Sequence, residues 1–250
     1  MIMMESTDIQ PVVNEPALLI TNKKILVVAD LHIGIESELW ELGLHTPAQT
    51  SSMTKRLIAL FGKYTPNNII LLGDIKHNIP SSTIQEKTDV KRFLTKIHSF
   101  GTIHVLPGNH DGNIDRFLSP DILLHPSDGF VFEGIGFVHG HRWPSEEVMK
   151  CEHIVIGHTH PTIMLTDRLG YKTFEPCWLR GKCINSKLKE KYPNSNDPNI
   201  IIMPAFNPIC GGIAVNKEPI IGPFGKIMNV KDAEVYLPDG SLLGKVKDIK

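Results

Sequence analysis

The sequence lacks the features of membrane proteins, secreted proteins and proteins held to polyanions by bulk charge. No apolar run approaches the roughly 20 residues that a membrane-spanning helix needs. Residues 1–16 have neither a basic segment nor an apolar core, so we expect a short arm or the lead into a first strand, not a secretory signal. Lys and Arg total 26 against 27 Asp and Glu, which excludes nucleic-acid binding through net charge alone but leaves room for a local basic surface. We therefore expect a cytoplasmic protein with no membrane contact.

Cysteine is also scarce. The four cysteines, Cys151, Cys177, Cys183 and Cys210, include no C-x-x-C pair, so a thiolate zinc site is not expected. A chain of 250 residues can bury a core without disulfides, so we expect reduced structural thiols. Apolar residues make up 41% and charged residues 21%, as in ordinary globular domains.

Apolar runs and turn residues predict alternating strands and helices in the first half of the chain. Residues 17–30 read as a hairpin whose second strand is followed by two further buried strands at 68–72 and 102–106. Helices are predicted over 34–43, 47–63 and 83–99. Short strands then dominate, at 129–133, 135–139, 153–157, 161–165, 174–179, 199–203, 234–237 and 241–246, with surface loops at 185–199 and 216–231. This order predicts one α/β domain over 1–250, with a mixed sheet or two packed sheets and helices outside.

Five short motifs each follow an apolar, β-rich run directly. They are Asp30-Leu31-His32, Gly73-Asp74, Gly108-Asn109-His110-Asp111, His139-Gly140-His141 and Gly157-His158-Thr159-His160. Six of the 12 histidines fall within them, which is far from an even spread. Because the carboxyl ends of strands meet at one edge of an open α/β sheet, we expect the motifs to form one site.

The residue types in these motifs predict a metal centre. Carboxylate, imidazole and amide oxygen ligands suit Mn, Fe, Zn or Mg. In extended backbone, residues i and i+2 face the same side, so Asp30/His32 and His158/His160 would each present two ligands together. Glycine precedes Asp74, Asn109 and His158, where it would permit positive φ and close approach to an ion. Seven candidate ligands suit two ions, with Asp74 bridging them; they are Asp30, His32, Asp74, Asn109, His139, His158 and His160.

The ordered set of motifs resembles the calcineurin-like metallophosphoesterase superfamily over residues 25–165. The segments Asp30–Gly34, Gly73–His77 and Pro204-Ala205-Phe206-Asn207-Pro208 further resemble the small phosphoesterases called ICC-like or SbcD-related. Such proteins occur in archaea, and their bacterial relatives lie beside DNA ligases. The resemblance implies a four-layer α-β-β-α sandwich of two mixed β-sheets flanked by helices, with the strand-rich segment 170–250 completing the second sheet.

The resemblance also implies roles. Asp30, His32, Asp74 and His160 would bind the first ion, and Asp74, Asn109, His139 and His158 the second. Manganese is the expected metal, with Fe, Zn or Mg as alternatives. His110 would face the substrate phosphate, with Asp111 orienting its ring. A hydroxide bridging the two ions would attack phosphorus, while His110 protonates the leaving oxygen or stabilises the phosphoryl charge.

Several residues near the motifs leave alternatives open. His77 either lines the pocket mouth or is an exposed loop histidine, and His141 is a substrate contact, a support for a ligand or a loop residue. Arg142 either contacts a substrate phosphate or is solvated. Trp143 either stacks on a base or packs under the loop. The basic segment 180–191 is either a nucleic-acid path or a solvated loop.

Two classes of function follow. The first is an enzyme: a metal-dependent phosphodiesterase or nuclease, with DNA repair as one setting and cyclic or other small diesters as further substrates. The second is a phosphoesterase fold that has lost catalysis and serves as a binding scaffold. The presence of every candidate ligand together with His110 favours the enzyme. An exposed Trp40 would indicate a homodimer face.

Overall fold

The computed structural model describes residues 8–80 and 82–249. The arm expected at the N-terminus therefore lies outside the described residues over 1–7. The strands are β1 (Ile9–Pro11), β2 (Ala17–Ile20), β3 (Ile25–Val28), β4 (Asn68–Leu72), β5 (Thr102–Leu106), β6 (Leu123–Leu124), β7 (Phe130–Phe132), β8 (Ile135–Val138), β9 (His153–Ile156), β10 (Pro161–Thr166), β11 (Lys172–Pro176), β12 (Trp178–Lys182), β13 (Asn199–Ile202), β14 (Ile213–Ala214), β15 (Glu234–Tyr236) and β16 (Leu242–Lys245). The helices are α1 (Ile35–Glu41), α2 (Thr50–Tyr64), α3 (Ile84–His98), α4 (Glu146–Met149), α5 (Asn185–Lys191) and α6 (Phe224–Ile227).

Two mixed sheets form the centre of the molecule. The first has the order β1-β2-β3-β4-β5-β6, with β3 to β6 parallel and β1 to β3 antiparallel. The β2–β3 pair confirms the hairpin predicted over residues 17–30. The second sheet has the order β16-β15-β12-β13-β9-β8-β7, and its strands β13, β9 and β8 are parallel. The parallel strands of the two sheets carry the motif residues at their carboxyl ends.

The alternation of side chains along each strand separates the layers. Along β3, Leu26 and Val28 join the core beneath α2 and α3, whereas Ile25 and Val27 join the core that also holds Phe137 and Val155 of the second sheet. On the second sheet, Ile154 and Ile156 face the other way, into a core shared with α4, α5 and α6. The layers therefore run helix, sheet, sheet, helix, and the expected fold class is confirmed.

Two expectations about the second half were wrong. The strand expected over 174–179 is divided at Pro176 and Cys177: β11 lies in a small third sheet with β10 and β14, while β12 joins the second sheet. Proline lacks the N–H that a continuous ladder needs, and the chain changes sheets there. The expected loops contain α5 and α6, because their few apolar residues, Leu188 and Phe224 among them, are buried against the second sheet. Within the described residues, no helix is long and apolar enough to span a bilayer.

Candidate metal centre

The five motifs meet where the carboxyl ends of the parallel strands face each other. Asp30, Asp74 and Asn109 follow β3, β4 and β5, which are neighbours in the first sheet. His139 and His158 follow β8 and β9, which are neighbours in the second sheet. Because the two sheets pack face to face, ligands from both converge on one cleft.

Five of the seven candidate ligands have left-handed backbone, which corrects the argument from extended spacing. Asp30, His32, Asp74, His158 and His160 have φ values of 58°, 40°, 47°, 65° and 44°. The i and i+2 pairs are therefore brought together by tight turns beyond the strands, because an extended chain does not reach positive φ. Left-handed conformations cost energy for residues other than glycine and gather at functional sites.

The first group of donors lies around Asp30 and His32. The Nε2 atom of His160 is 3.3 Å from Asp30 Oδ1 and 3.3 Å from His32 Nε2. His32 Nε2 is in turn 3.6 Å from Asp74 Oδ2. Asp30, His32 and Asp74 present ligand atoms within 4.8 Å of one another, as an ion shared among them would require.

The second group lies around His139. Its Nε2 atom is 3.2 Å from Asp74 Oδ2 and 3.3 Å from Asn109 Oδ1. Asp74, His139 and His158 form another set of ligand atoms within 4.8 Å of one another. Asp74 thus belongs to both groups. Of the two histidines in the His139-Gly140-His141 motif, it is His139 that contacts Asp74.

The titration of the site follows from this crowding. Burial opposes ionisation of Asp30, but His160 and His139 outweigh it and lower the pKa of the carboxyl. Burial likewise opposes a charged His139, but Asp74 and Asp30 raise the pKa of its ring to about 9. Burial lowers the pKa of His158 to about 4, and the neighbouring His139 adds to the effect. In the metal-free protein, a protonated His139 therefore offsets part of the charge of Asp74 and Asp30, whereas His158 is neutral near pH 7.

Two glycines make this packing possible. A Cβ on Gly108 would lie 2.1 Å from Asp74 Oδ1, and a Cβ on Gly73 would lie 2.1 Å from His139 Nδ1. Gly73 also has φ of 82°. Both positions therefore require glycine. At Gly108 a side chain would clash with Asp74, and at Gly73 it would clash with His139 and would also disfavour the positive φ.

His110 lies beside the site, but Asp111 does not hold its ring as expected. The His110 N–H donates to Asp74 Oδ1 at 2.8 Å, and its ring centroid is 4.8 Å from that of His32. His110 Nδ1 contacts the His77 carbonyl oxygen at 2.5 Å. The buried Asp111 carboxylate instead accepts backbone N–H groups of Ile75, Lys76 and Gly108, so it shapes the two loops and leaves the ring to the His77 carbonyl.

His77 is buried under the site, so it is neither at the pocket mouth nor an exposed loop residue. Its Nδ1 atom is 3.1 Å from His32 Nδ1, and its Nε2 atom is 2.5 Å from Glu38 Oε2 of α1. The ring also stacks on His110, with centroids 5.2 Å apart. The Glu86 carboxylate of α3 fixes this loop by accepting the His77 N–H at 2.8 Å. His77 thus contacts a candidate ligand on one side and His110 on the other.

His141 lines the second group, whereas Arg142 turns outward. The His141 ring centroid is 5.2 Å from that of His139. Arg142 is exposed and donates to Ser127 Oγ at 2.9 Å. Trp143 is half-buried against the core of the second sheet and lies near Tyr192.

The sequence reasoning missed a segment that closes the site from far along the chain. Asn207 is buried, and its Nδ2 donates to the Leu31 carbonyl at 2.9 Å. The Gly211 carbonyl oxygen is 2.9 Å from His160 Nδ1 and fixes that ring. Cys210 is a free thiol that forms a ligand-sized group with His32 and His160, although it was expected to be structural. The Pro204–Pro208 motif was a signal for Asn207; nothing in the sequence pointed to Cys210 or Gly211.

The family model of calcineurin-like phosphoesterases matches residues 23–202, which span all five motifs. The chain belongs to this family. The resemblance stated from the motifs is thereby confirmed, and so is the expected class of enzyme: the chain is a metal-dependent phosphoesterase of the calcineurin-like family. Its Asp and His clusters can hold the divalent ions that such enzymes use.

One solved structure shares the fold of this calcineurin-like phosphoesterase, and a second matches it less closely. The crystal structure of the nuclease MPE from Pseudomonas putida has a TM-score of 0.58 and 21% sequence identity, covering 92% of this chain and 97% of that one. YfcE, a phosphoesterase from E. coli, has a TM-score of 0.40 and 16% identity, covering 88% and 97%. No curated protein is similar enough in sequence to match.

Proposed function

We propose that the protein is a two-metal phosphodiesterase that cleaves nucleic acid, with manganese as its metal. The observation that carries the proposal is the shared position of Asp74 between two groups of donors. His32 Nε2 and His139 Nε2 lie 3.6 and 3.2 Å from the same Oδ2 atom. One carboxylate oxygen facing two separate imidazole nitrogens is the arrangement expected of a ligand shared by two ions.

The donor set fits divalent ions. Asp30 and His139 are fully buried and Asp74 is nearly so, and buried charges need a partner or a coordinated metal. Asp30, His32, Asp74 and His160 would hold the first ion, and Asp74, Asn109, His139 and His158 the second. Bound ions would polarise the phosphoryl oxygens and supply a nucleophile by lowering the pKa of a water toward about 7. Oxygen and imidazole ligands accommodate manganese well.

His110 would act on the leaving oxygen. The His77 carbonyl accepts the proton of Nδ1, so the other ring nitrogen, Nε2, is free to meet the substrate. The backbone N–H of His110 is committed to Asp74, which ties the position of the ring to that of the bridging carboxylate. In this position a doubly protonated His110 would donate its Nε2 proton to the leaving oxygen or stabilise the developing charge.

The choice of a phosphodiester rests on two supports. The motifs resemble those of the SbcD-related phosphoesterases, and the shared fold includes a protein described as a nuclease. DNA repair is the cellular setting that the sequence resemblance predicts.

A comparison of two chromogenic substrates tests this proposal. With added Mn²⁺, we expect faster turnover of bis-p-nitrophenyl phosphate than of p-nitrophenyl phosphate, and two bound ions per chain by mass spectrometry of metal content. Asp74→Asn should weaken the binding of both ions and lower turnover. Asp121→Asn, at an exposed position, should change neither metal binding nor turnover. Two bound ions without hydrolysis of either substrate would favour the scaffold. Preference for the monoester would exclude a phosphodiesterase.

A further inference from the structure

Two lysine side chains lie over the Trp143 ring, beside the second donor group. Lys191 Nζ of α5 lies 5.1 Å from the Trp143 ring centroid, and Lys226 Nζ of α6 lies 5.9 Å from it. Arg142, the preceding residue, is exposed like both lysines. We call Arg142, Trp143, Lys191 and Lys226 the Trp143 platform.

The platform is continuous with the candidate metal centre. Trp143 follows His141 by two residues, and the His141 ring contacts those of His139 and His158. On the other side, the turn before α6 touches the centre directly: a Cβ on Gly222 would lie 2.4 Å from the Gly140 carbonyl oxygen and 3.5 Å from His158 Cδ2. Lys226 follows this contact by one helical turn. The basic surface therefore begins at the edge of the cleft.

The cations of the platform form no ion pair with a carboxylate. Among the ion pairs of residues 8–80 and 82–249, none includes Arg142, Lys191 or Lys226. The two ammonium groups lie on one ring, so their separation cannot exceed the sum of the two distances, 11.0 Å. Like charges held this close repel weakly in water and attract a polyanion.

The aromatic ring identifies the kind of polyanion. Positive grooves beside stacking aromatic side chains are the usual means of binding single-stranded nucleic acid. Trp143 is anchored by the core of the second sheet, and its neighbour Tyr192 is fixed because its hydroxyl donates to the Pro144 carbonyl at 2.7 Å. A ring held in this way can receive a base without further ordering.

We propose that the Trp143 platform binds the unpaired strand of a nucleic-acid substrate next to the scissile phosphate. This proposal rests on the proposed function. In the free protein the lysines lie over the ring, where a cation–π contact stabilises them modestly. A bound strand offers each lysine a phosphate, which is a stronger partner, and frees the ring to stack on a base. The exchange needs only rotation of two exposed side chains.

Salt-dependent binding of an oligothymidylate of about 20 nucleotides tests the platform. The measurement uses fluorescence anisotropy with manganese-loaded His110→Ala protein, so that the strand stays intact. Removing two phosphate contacts in Lys191→Ala/Lys226→Ala should reduce the slope of log K against log salt by about 1.4. The loss of affinity relative to the parent should therefore shrink about sevenfold between about 50 and about 200 mM salt. Trp143→Phe should bind the strand nearly as the parent does, and Trp143→Ala about tenfold more weakly.

A matched control is Lys63→Ala, because Lys63 Nζ also lies over a ring, 4.9 Å from that of Tyr64, but on α2 at the far side of the first sheet. It should leave binding unchanged. In the otherwise wild-type protein, the lysine pair should lower kcat/KM for the oligonucleotide while bis-p-nitrophenyl phosphate is cleaved as before. An unchanged salt slope, or tighter binding of duplex with the same sensitivity to Trp143→Ala, would overturn the platform. Absence of turnover of both substrates by the wild-type enzyme would overturn the proposed function instead. The salt slope of oligonucleotide binding would still decide whether the platform binds the strand.

Discussion

Gly108→Ala is the change whose effect the structure specifies best. The new Cβ would lie 2.1 Å from Asp74 Oδ1 and 2.5 Å from the Asp74 backbone nitrogen, whereas real contacts of this kind are not closer than 3.0 Å. The Asp74 carboxylate must therefore move by about 1 Å, and a displacement of that size at a reacting centre costs about 10²-fold in rate. Because the same oxygen accepts the His110 N–H, His110 is displaced as well.

The assay measures kcat for bis-p-nitrophenyl phosphate at saturating Mn²⁺, together with metal content and Tm. We expect a loss of at least about 10²-fold in kcat, and a lower Tm because overpacking costs about 1–3 kcal/mol. Gly112→Ala is the matched control: it lies four residues on, and its Cβ would meet nothing within 4 Å. Near-parental kcat and tight binding of two ions by Gly108→Ala would refute the crowding of Asp74 by this loop.

Three further results are expected. His110→Ala should lower kcat by about 10²–10⁴-fold while metal content stays unchanged; an equal loss of metal would show that His110 supports the ions instead. His77→Ala should weaken metal binding or activity by about 10–100-fold, since it removes the contact to His32 Nδ1, whereas Glu38→Gln, at a largely exposed carboxylate, should do less; equal effects in titrations of Mn²⁺ would contradict this order. The pKa of His139 is raised to about 9 in the metal-free protein and that of His160 is raised as well, so both rings must lose a proton before they bind metal. Apparent metal affinity should therefore rise by at least about tenfold per pH unit below about pH 9 and level off above it. Calorimetry that shows an affinity independent of pH would contradict the role of His139 as a ligand.

The sequence was sufficient for the parts of the site that local patterns encode. Apolar runs located the strands, and the residues just beyond them, such as Asp30 and Asp74, could be placed at one edge of the sheet. The expected mechanism of convergence was wrong, because extended spacing does not describe turns with positive φ. The convergence itself did not depend on that detail, since strand ends alone bring the motifs together.

The parts that could not be predicted depend on contacts between distant residues. The Glu38 contact to His77 joins residues 39 positions apart, and the Asn207 contact to Leu31 joins residues 176 positions apart. Neither forms a periodic pattern that local reasoning could detect. The helices α5 and α6 were missed for a related reason: a single buried residue such as Leu188 fixes a short polar helix only through its tertiary surroundings.

The left-handed turns of the motifs limit how far the thermal stability of this protein can be raised without loss of activity. Each of the five non-glycine residues held at positive φ costs the fold about 1 kcal/mol or more relative to a glycine. A selection for heat resistance alone would therefore favour glycine or asparagine at positions such as His158 and His160, and would discard the candidate ligands first. At these few residues, a substitution that raises thermal stability would thus lower activity. A more stable and still active variant would have to gain its stability in the cores away from the cleft.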